Sequence, residues 1–547
     1  MTAMHPRSST HEVSNQPPPL DGFDPFACDP ALADAVTRYV GPGAAAALGE
    51  LGRQAGSSTA REHGRLADRH PPVLHTHDRY GQRIDEVEFH PSWHWLMRRA
   101  VAHGLHAAPW GPDAEPGAHV VRAAGFYLWT QVEAGHGCPL SMTYAAVPAL
   151  RRTPALAAQW EPGLCSRRYD PGLREPTRKD GLLAGMSMTE KQGGSDVRAN
   201  TTTARPTADG AYRIIGHKWF TSAPMNDVFL TLAQAPDGLT CFAVPRVLPD
   251  GTRNGIRLQR LKDKLGNRAN ASAEIEYEDA LGWPVGPEGR GVATIIEMVS
   301  MTRLDCVLGS ASTVRAALSE AAHHVAHRRA FGVRLADAPL MAAVLADLAV
   351  ESEAATVLAL RLAAAVDHAQ DHAQRALLRL ALPAGKYYVG KRAPVVVVEA
   401  LECLGGNGYV EDSGLPRLYR EAPLNSIWEG SGNVTALDVL RALSRDGDPA
   451  EALLTEMEPA AGAHPGLDRA LHLLRAEIAD PRPERARRLA ELIALCLQGS
   501  LLLRHAPSAV AEAFLVSRLG GDATGRTLGM LPAGTDTRAL VERVTPR

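Results

Sequence analysis

Long apolar runs are missing from this chain: no window approaches the roughly 18 uninterrupted apolar residues of a membrane span, so no membrane association is expected. The N-terminal stretch MTAMHPRSSTHEVSNQPPPLDGFDPF is polar and proline-rich. It lacks the apolar core of about 7 to 15 residues that a secretory leader needs, and a cytoplasmic location is expected. Paired cysteines are missing too. Cys28, Cys138, Cys165, Cys241, Cys306, Cys403 and Cys496 occur singly, with no C-x-x-C spacing, which argues against a zinc knuckle or redox dithiol and predicts reduced, mostly buried thiols. A charge excess is likewise absent: the net charge is -3 over 547 residues, unlike a chain-wide nucleic-acid surface. His323 and His327 stand four apart in HHVAHRRAFG, but no third ligand or H-E-x-x-H pattern accompanies them, so a solvated helix face is expected and no metal.

What is present is ordinary globular text, 45% hydrophobic and 22% charged, too long for one core and suited to three or four packed units. Residues 1–183 read as helical, in Ala-rich and Leu-rich segments such as HPSWHWLMRRAVAHGL. From 184 to 288 short runs rich in β-branched and aromatic residues, among them AYRIIGHKWFT, DVFLTLAQA and ASAEIEYED, alternate with turn signals. They predict a compact antiparallel barrel or sandwich. Residues 289–445 carry three long segments with helical periodicity, which predicts a bundle. Residues 446–547 form a further helical unit. The class is therefore α+β and multidomain, with a ligand cleft expected where the β unit meets the bundle.

Several stretches carry chemistry. MTEKQGGSDV, Met188 to Val197, places Thr189 and Ser195 hydroxyls beside Gly193 and Gly194, a composition suited to flavin or phosphate and equally to a polar turn. GHKWFTSAP puts Trp219 and Phe220 on opposite faces of a strand, one for the core and one for a planar ligand, with Ser222 sharing the Phe220 face. LGGNGYV closes a long helix with Gly405 and Gly406, either a helix stop or a backbone surface for a pyrophosphate. In NSIWEGSGN, Glu429 is either a helix-start carboxylate or a catalytic base.

In this order MTEKQGGSDV, GHKWFTS, RRAFG, LGGNGY and LYREAPLNSIWEGSGN resemble the acyl-CoA dehydrogenase family, over about residues 120–445. Longer phrases, including FHPSWHWLM, QVEAGHGCPLSMT and MTRLDC, are similar to the branch linked to the bacterial adaptive response to alkylating agents. The resemblance implies an acyl-CoA dehydrogenase fold, with a β domain between a helical domain and a four-helix bundle. FAD would lie in the crevice, and an acyl-CoA thioester would be the substrate. It implies that Met188, Thr189, Gly194, Ser195 and Val197 line the flavin, that Phe220 stacks on it, and that Ser222 touches its reactive edge. Arg328, Phe331, Gly405 and Gly406 would reach the FAD of a neighbouring subunit in a homotetramer. Ile427, Trp428, Gly430, Ser431 and Asn433 would complete the cofactor contacts around Glu429, the implied base. Two positions depart from the pattern: Pro339 replaces a common glutamine, and Trp428, bulkier than the usual tyrosine, narrows the acyl pocket. The resemblance also implies double-stranded DNA as a partner of the C-terminal unit. Composition gives that no support, since residues 445–547 hold 13 Arg and no Lys against 14 Asp plus Glu. The cluster Arg482, Arg485, Arg487 and Arg488 is flanked by Glu484 and Glu491.

Overall fold

A computed structural model describes residues 10–444, 448–520 and 527–546; the expected domain boundary at 445–446 lies outside them. The N-terminal unit is mainly helical. Asp29 starts its first helix, Pro30–Tyr39, by accepting from the Leu32 N–H at 3.1 Å, with Pro30 at the first helical position, where a missing N–H costs nothing. Trp93, Tyr127, Trp129 and Tyr144 are buried completely or nearly so, and the Tyr127 hydroxyl donates to Asp29 at 2.8 Å. A hairpin of β1 (Val73–His77) and β2 (Arg83–Glu88) interrupts this helical region. Sequence periodicity does not announce it, because VLHTH and RIDEVE are mostly exposed and mix polar with apolar residues on both faces. Arg83 ties the hairpin to the β domain by donating to the Leu258 carbonyl at 2.9 Å.

Two buried histidines in this unit set its acid response. Burial lowers His106 from 6.5 to about 4 and His119 to about 3. Both therefore bind protons more weakly folded than unfolded. The stability they contribute is complete above the unfolded value and is lost as pH falls through the window from 6.5 towards 4 and 3. Each is expected to remove about 1.4 kcal/mol per pH unit inside that window. Urea midpoints measured down an acid series should fall accordingly, and His106→Gln should flatten the fall.

The β domain comprises β3 (Ala184–Ser187), β4 (Thr203–Pro206), β5 (Tyr212–Ser222), β6 (Val228–Ala235), β7 (Gly238–Pro245), β8 (Ile256–Leu261) and β9 (Ser272–Val285). The strands run β3-β6-β4-β5-β9-β7, with β8 on β9, and a β6–β7 pairing closes the path into a barrel. The expectation of a wholly antiparallel sheet needs correction. β3 and β4 each pair parallel to β6, because β3 enters from the N-terminal helices and not through a hairpin. β6 is buried on both faces: Val228, Leu230 and Leu232 pack towards the helix Gly137–Leu150, while Phe229 and Ala233 fill the barrel. That double burial is why VFLTLAQA reads as a continuous apolar run.

The bundle consists of a first helix Gly291–His327, a second Pro339–Asp367, a third His372–Glu402 and a fourth, shorter helix Gly432–Leu443. A second short hairpin, β10 (Arg329–Ala330) and β11 (Val333–Arg334), links the first two. The C-terminal helices share one apolar core with the bundle and are pinned to it by ion pairs. Arg518 bonds Asp347 and also Glu351, the latter at 2.9 Å; Arg543 bonds Glu353 at 2.9 Å. Among the described residues no helix is long and apolar enough to cross a membrane.

Candidate active site

The loop from Leu424 to Ser431 hangs between the third and fourth bundle helices. Glu429 has φ 57° and Gly430 φ 104°, two successive residues in the left-handed region, which costs a non-glycine residue about 1 kcal/mol or more. Ser431, not Glu429, takes the N-cap position of the following helix, so Glu429 is not its capping carboxylate. The carboxylate Oε2 accepts from the Thr302 hydroxyl of the first helix at 2.7 Å. Glu429 keeps some solvent exposure, yet its carboxyl is enclosed by protein. That burial raises its pKa against the opposing pull of Thr302, Arg303 and Lys386.

The backbone of this loop is held by cations. Arg303 Nε donates to the Glu429 carbonyl at 3.0 Å while its guanidinium pairs with Asp438 at 2.6 Å. Lys386 Nζ donates to the Trp428 carbonyl at 2.8 Å and also to the Gly430 carbonyl. The Trp428 indole donates to Asn425 Oδ1 at 2.9 Å, which fixes the ring beside Glu429. Ile427 is exposed.

The facing wall comes from the β domain. Its Met188–Val197 loop is anchored by Glu190, which is fully buried and paired with the fully buried Lys218 of β5 at 2.8 Å. The Glu190 carboxylate also accepts from the Thr201 N–H at 2.7 Å and the Thr202 N–H at 3.1 Å. Burial pushes its pKa up, but the Lys218 and threonine bonds outweigh it and hold it far below the usual range. Thr189 presents its carbonyl to the Trp219 N–H at 2.8 Å. A Cβ on Gly194 would lie 2.5 Å from Thr189 Oγ1, so only glycine lets the loop fold back onto that hydroxyl. Gly194 and Ser195 are exposed, and Val197 and Met188 pack into the same apolar cluster as Trp428 and Met301.

Phe220, at the end of β5, is 50% exposed. The Lys262 ammonium lies over both neighbouring rings, 3.0 Å from the Trp219 centroid and 4.8 Å from that of Phe220. The Ser222 hydroxyl lies 3.5 Å from that of Ser272, and burial pushes the nearby Cys138 thiol up to about 11. Cys138 belongs to the apolar cluster against which Met188, Val197 and Trp428 all pack, and that cluster is where the two walls meet.

Other expected residues lie elsewhere. Arg328 donates to the Asn15 carbonyl of its own chain. Phe331 crowns the β10–β11 turn with φ 52°, fully exposed. Gly405 and Gly406 form an open turn with nothing within 4 Å of either Cβ position, and Asn433 is exposed on the first turn of the fourth helix. No hydrogen bond or ion pair among the described residues joins the Arg328 hairpin or the Gly405 turn to Glu429. His323 and His327 spend ring nitrogens on the Pro18 and His323 carbonyls, each at 2.8 Å. A surface depression of about 530 Å³, lined by Lys191 of the Met188–Val197 loop with His217 and Glu276, runs along β5 and β9.

Sequence reasoning missed Thr302, Arg303, Lys386 and Cys138 as members of the site. Lys386 carried a signal: it stands alone in the apolar text LALPAGKYYV, and a buried lysine needs an explanation.

Comparison with known proteins fits this geometry. Residues 15–171 match the model of the adaptive response protein AidB N-terminal domain. Residues 185–280 and 289–444 match the acyl-CoA dehydrogenase middle and C-terminal domains. The chain is similar to AidB of Escherichia coli (strain K12), a candidate acyl-CoA dehydrogenase, with 47% identity over 92% of this chain and 94% of that one. It is 32% identical to acyl-CoA dehydrogenase family member 11 of Caenorhabditis elegans, over 81% of this chain and 75% of the relative. The crystal structure of Caenorhabditis elegans ACDH-11 in complex with C11-CoA superposes with a TM-score of 0.84 at 28% identity, covering 94% of this chain and 93% of that one.

Proposed function

Since the chain belongs to the acyl-CoA dehydrogenase family, FAD-dependent oxidoreductases acting on CH–CH groups, we propose that it oxidises an acyl-CoA thioester with Glu429 as the base. One observation carries the reading: an enclosed carboxylate with a raised pKa, presented on a left-handed turn and held at Oε2 by the Thr302 hydroxyl at 2.7 Å. The residues fit the cofactor. Met188, Thr189, Gly194, Ser195 and Val197 offer a close-approach loop, Phe220 a half-exposed ring, and Ser222 a hydroxyl. Ile427, Trp428, Gly430 and Ser431 would border it from the bundle, with Asn433 in the first turn of the fourth helix. When bound, FAD supplies the hydride acceptor for the substrate β-carbon.

The chain's own groups do the rest. Glu429 takes the α-proton, and enclosure makes its carboxylate a stronger base than one in water. Thr302 fixes the direction of Oε2, and Trp428, locked by Asn425, limits the width of the acyl group that reaches Oε2. Arg328, Phe331, Gly405 and Gly406 would serve a second subunit's FAD in a homotetramer, which is consistent with the full exposure of Phe331. The match of the N-terminal unit supports a link to the response to alkylation damage. DNA contact through the C-terminal helices has weaker support, since Arg482 and Arg485 pair with Asp480, and Arg488 with Glu477 at 3.3 Å. Anaerobic titration of the FAD-loaded protein with acyl-CoAs of graded chain length and branching is expected to bleach the visible flavin band. Absence of bleaching across the panel, together with steeply salt-dependent duplex binding, would replace dehydrogenation with a DNA-associated role.

A further inference from the structure

We propose that Lys386 is the positioning residue for Glu429, acting through the two peptide carbonyls that flank it. The inference rests on Glu429 being the base. Lys386 is 1% exposed in the middle of the third bundle helix, and no carboxylate forms an ion pair with it among the described residues. Its ammonium donates instead to the carbonyls of Trp428 and Gly430, the residues immediately before and after Glu429. Burying a lysine without an ion-pair partner is unfavourable, so its retention calls for a compensating task. The carbonyls it bonds suggest what that task is.

With Arg303 on the Glu429 carbonyl, three successive peptide oxygens are held by cations from two different helices. The plane before Glu429 carries the Trp428 carbonyl, held by Lys386, and the plane after it carries the Glu429 carbonyl, held by Arg303; together they determine φ and ψ at Glu429, and hence the direction of its Cβ. The left-handed φ of 57° is one that a glutamate leaves readily when unrestrained. Lys386 fixes the plane before Glu429 and, through the Gly430 carbonyl, the plane beyond Gly430, so the same ammonium ties down the turn on either side of the plane that Arg303 holds. The same ammonium stabilises the Glu429 carboxylate, lowering its pKa alongside Thr302 and Arg303 against the burial that raises it.

Lys386→Met exchanges the cation for an apolar chain of similar length, and Lys386→Gln keeps a donor without charge. In FAD-loaded protein, Lys386→Met is expected to lower the rate constant for flavin bleaching by about 10- to 100-fold with substrate affinity unchanged. In both variants the limb of the pH–rate profile should move to higher pH, since losing a nearby cation raises a carboxyl pKa. A second readout needs no cofactor: the Glu429 carboxyl band, taken as the infrared difference between each background and its Glu429→Gln version, should titrate at higher pH in both variants. If Lys386→Met fails to fold, Lys386→Gln and the infrared titration decide. An unmoved infrared titration and pH limb would overturn the inference. If Glu429→Gln alone bleaches at the wild-type rate, the base assignment fails instead, and the infrared titration still reports whether Lys386 holds Glu429.

Discussion

Glu429→Gln is expected to abolish acyl-CoA-dependent bleaching of the bound flavin, lowering its rate constant by about 10²- to 10⁴-fold while leaving acyl-CoA binding intact. The change is nearly isosteric. The amide oxygen of the introduced glutamine can still accept from the Thr302 hydroxyl, which lies 2.7 Å from Oε2 of the glutamate. The backbone at this position would still receive Arg303 and Lys386, so the loop keeps its shape. What disappears is the basic oxygen. Stopped-flow absorbance under anaerobic conditions gives the rate constant, and equilibrium binding of an acyl-CoA gives the affinity. Loss of both together would point to a collapsed loop, and retention of both would remove Glu429 from the chemistry.

Breaking the ion pair beneath the Met188–Val197 loop should have the largest effect on stability. Lys218→Met leaves the Glu190 carboxylate buried without its cation, a loss of about 3–5 kcal/mol for a buried pair stripped of one partner. The loop should come away from β5, because Glu190 also gathers the Thr201 and Thr202 N–H groups. A lowered melting temperature and a reduced ratio of flavin to protein absorbance after purification are the expected readouts. Removing the orphaned charge as well, in Lys218→Met with Glu190→Gln, should recover part of the stability and less of the flavin, since the amide replaces the carboxylate only partly as an acceptor. Equal loss in single and double variants would show that Glu190 is not the group left uncompensated.

The fold class was legible because helical periodicity and β-branched strand text switch cleanly near Ala184 and again near Gly291. The hairpin β1–β2 was not, because its strands are half solvated and carry no alternation. The parallel pairing of β3 with β6 was not either, since register between strands about 40 residues apart leaves no local mark. Within the site, Glu429 stood out through its neighbours Trp428, Gly430 and Ser431. Glu190 and Lys218 were visible as residues of two motifs but not as a pair.

Local order along the chain thus sufficed for the family and the cofactor, because each flavin-associated stretch is a short segment whose residue types and glycines are readable where they stand. How Glu429 is held was decided only in three dimensions. Thr302 and Arg303 are 127 and 126 residues from it, and Lys386 is 42 residues from the Trp428 carbonyl it bonds. Bundle packing alone brings those donors onto one left-handed turn, and their burial converts ordinary hydroxyl, guanidinium and ammonium groups into the restraints that orient and tune a carboxylate.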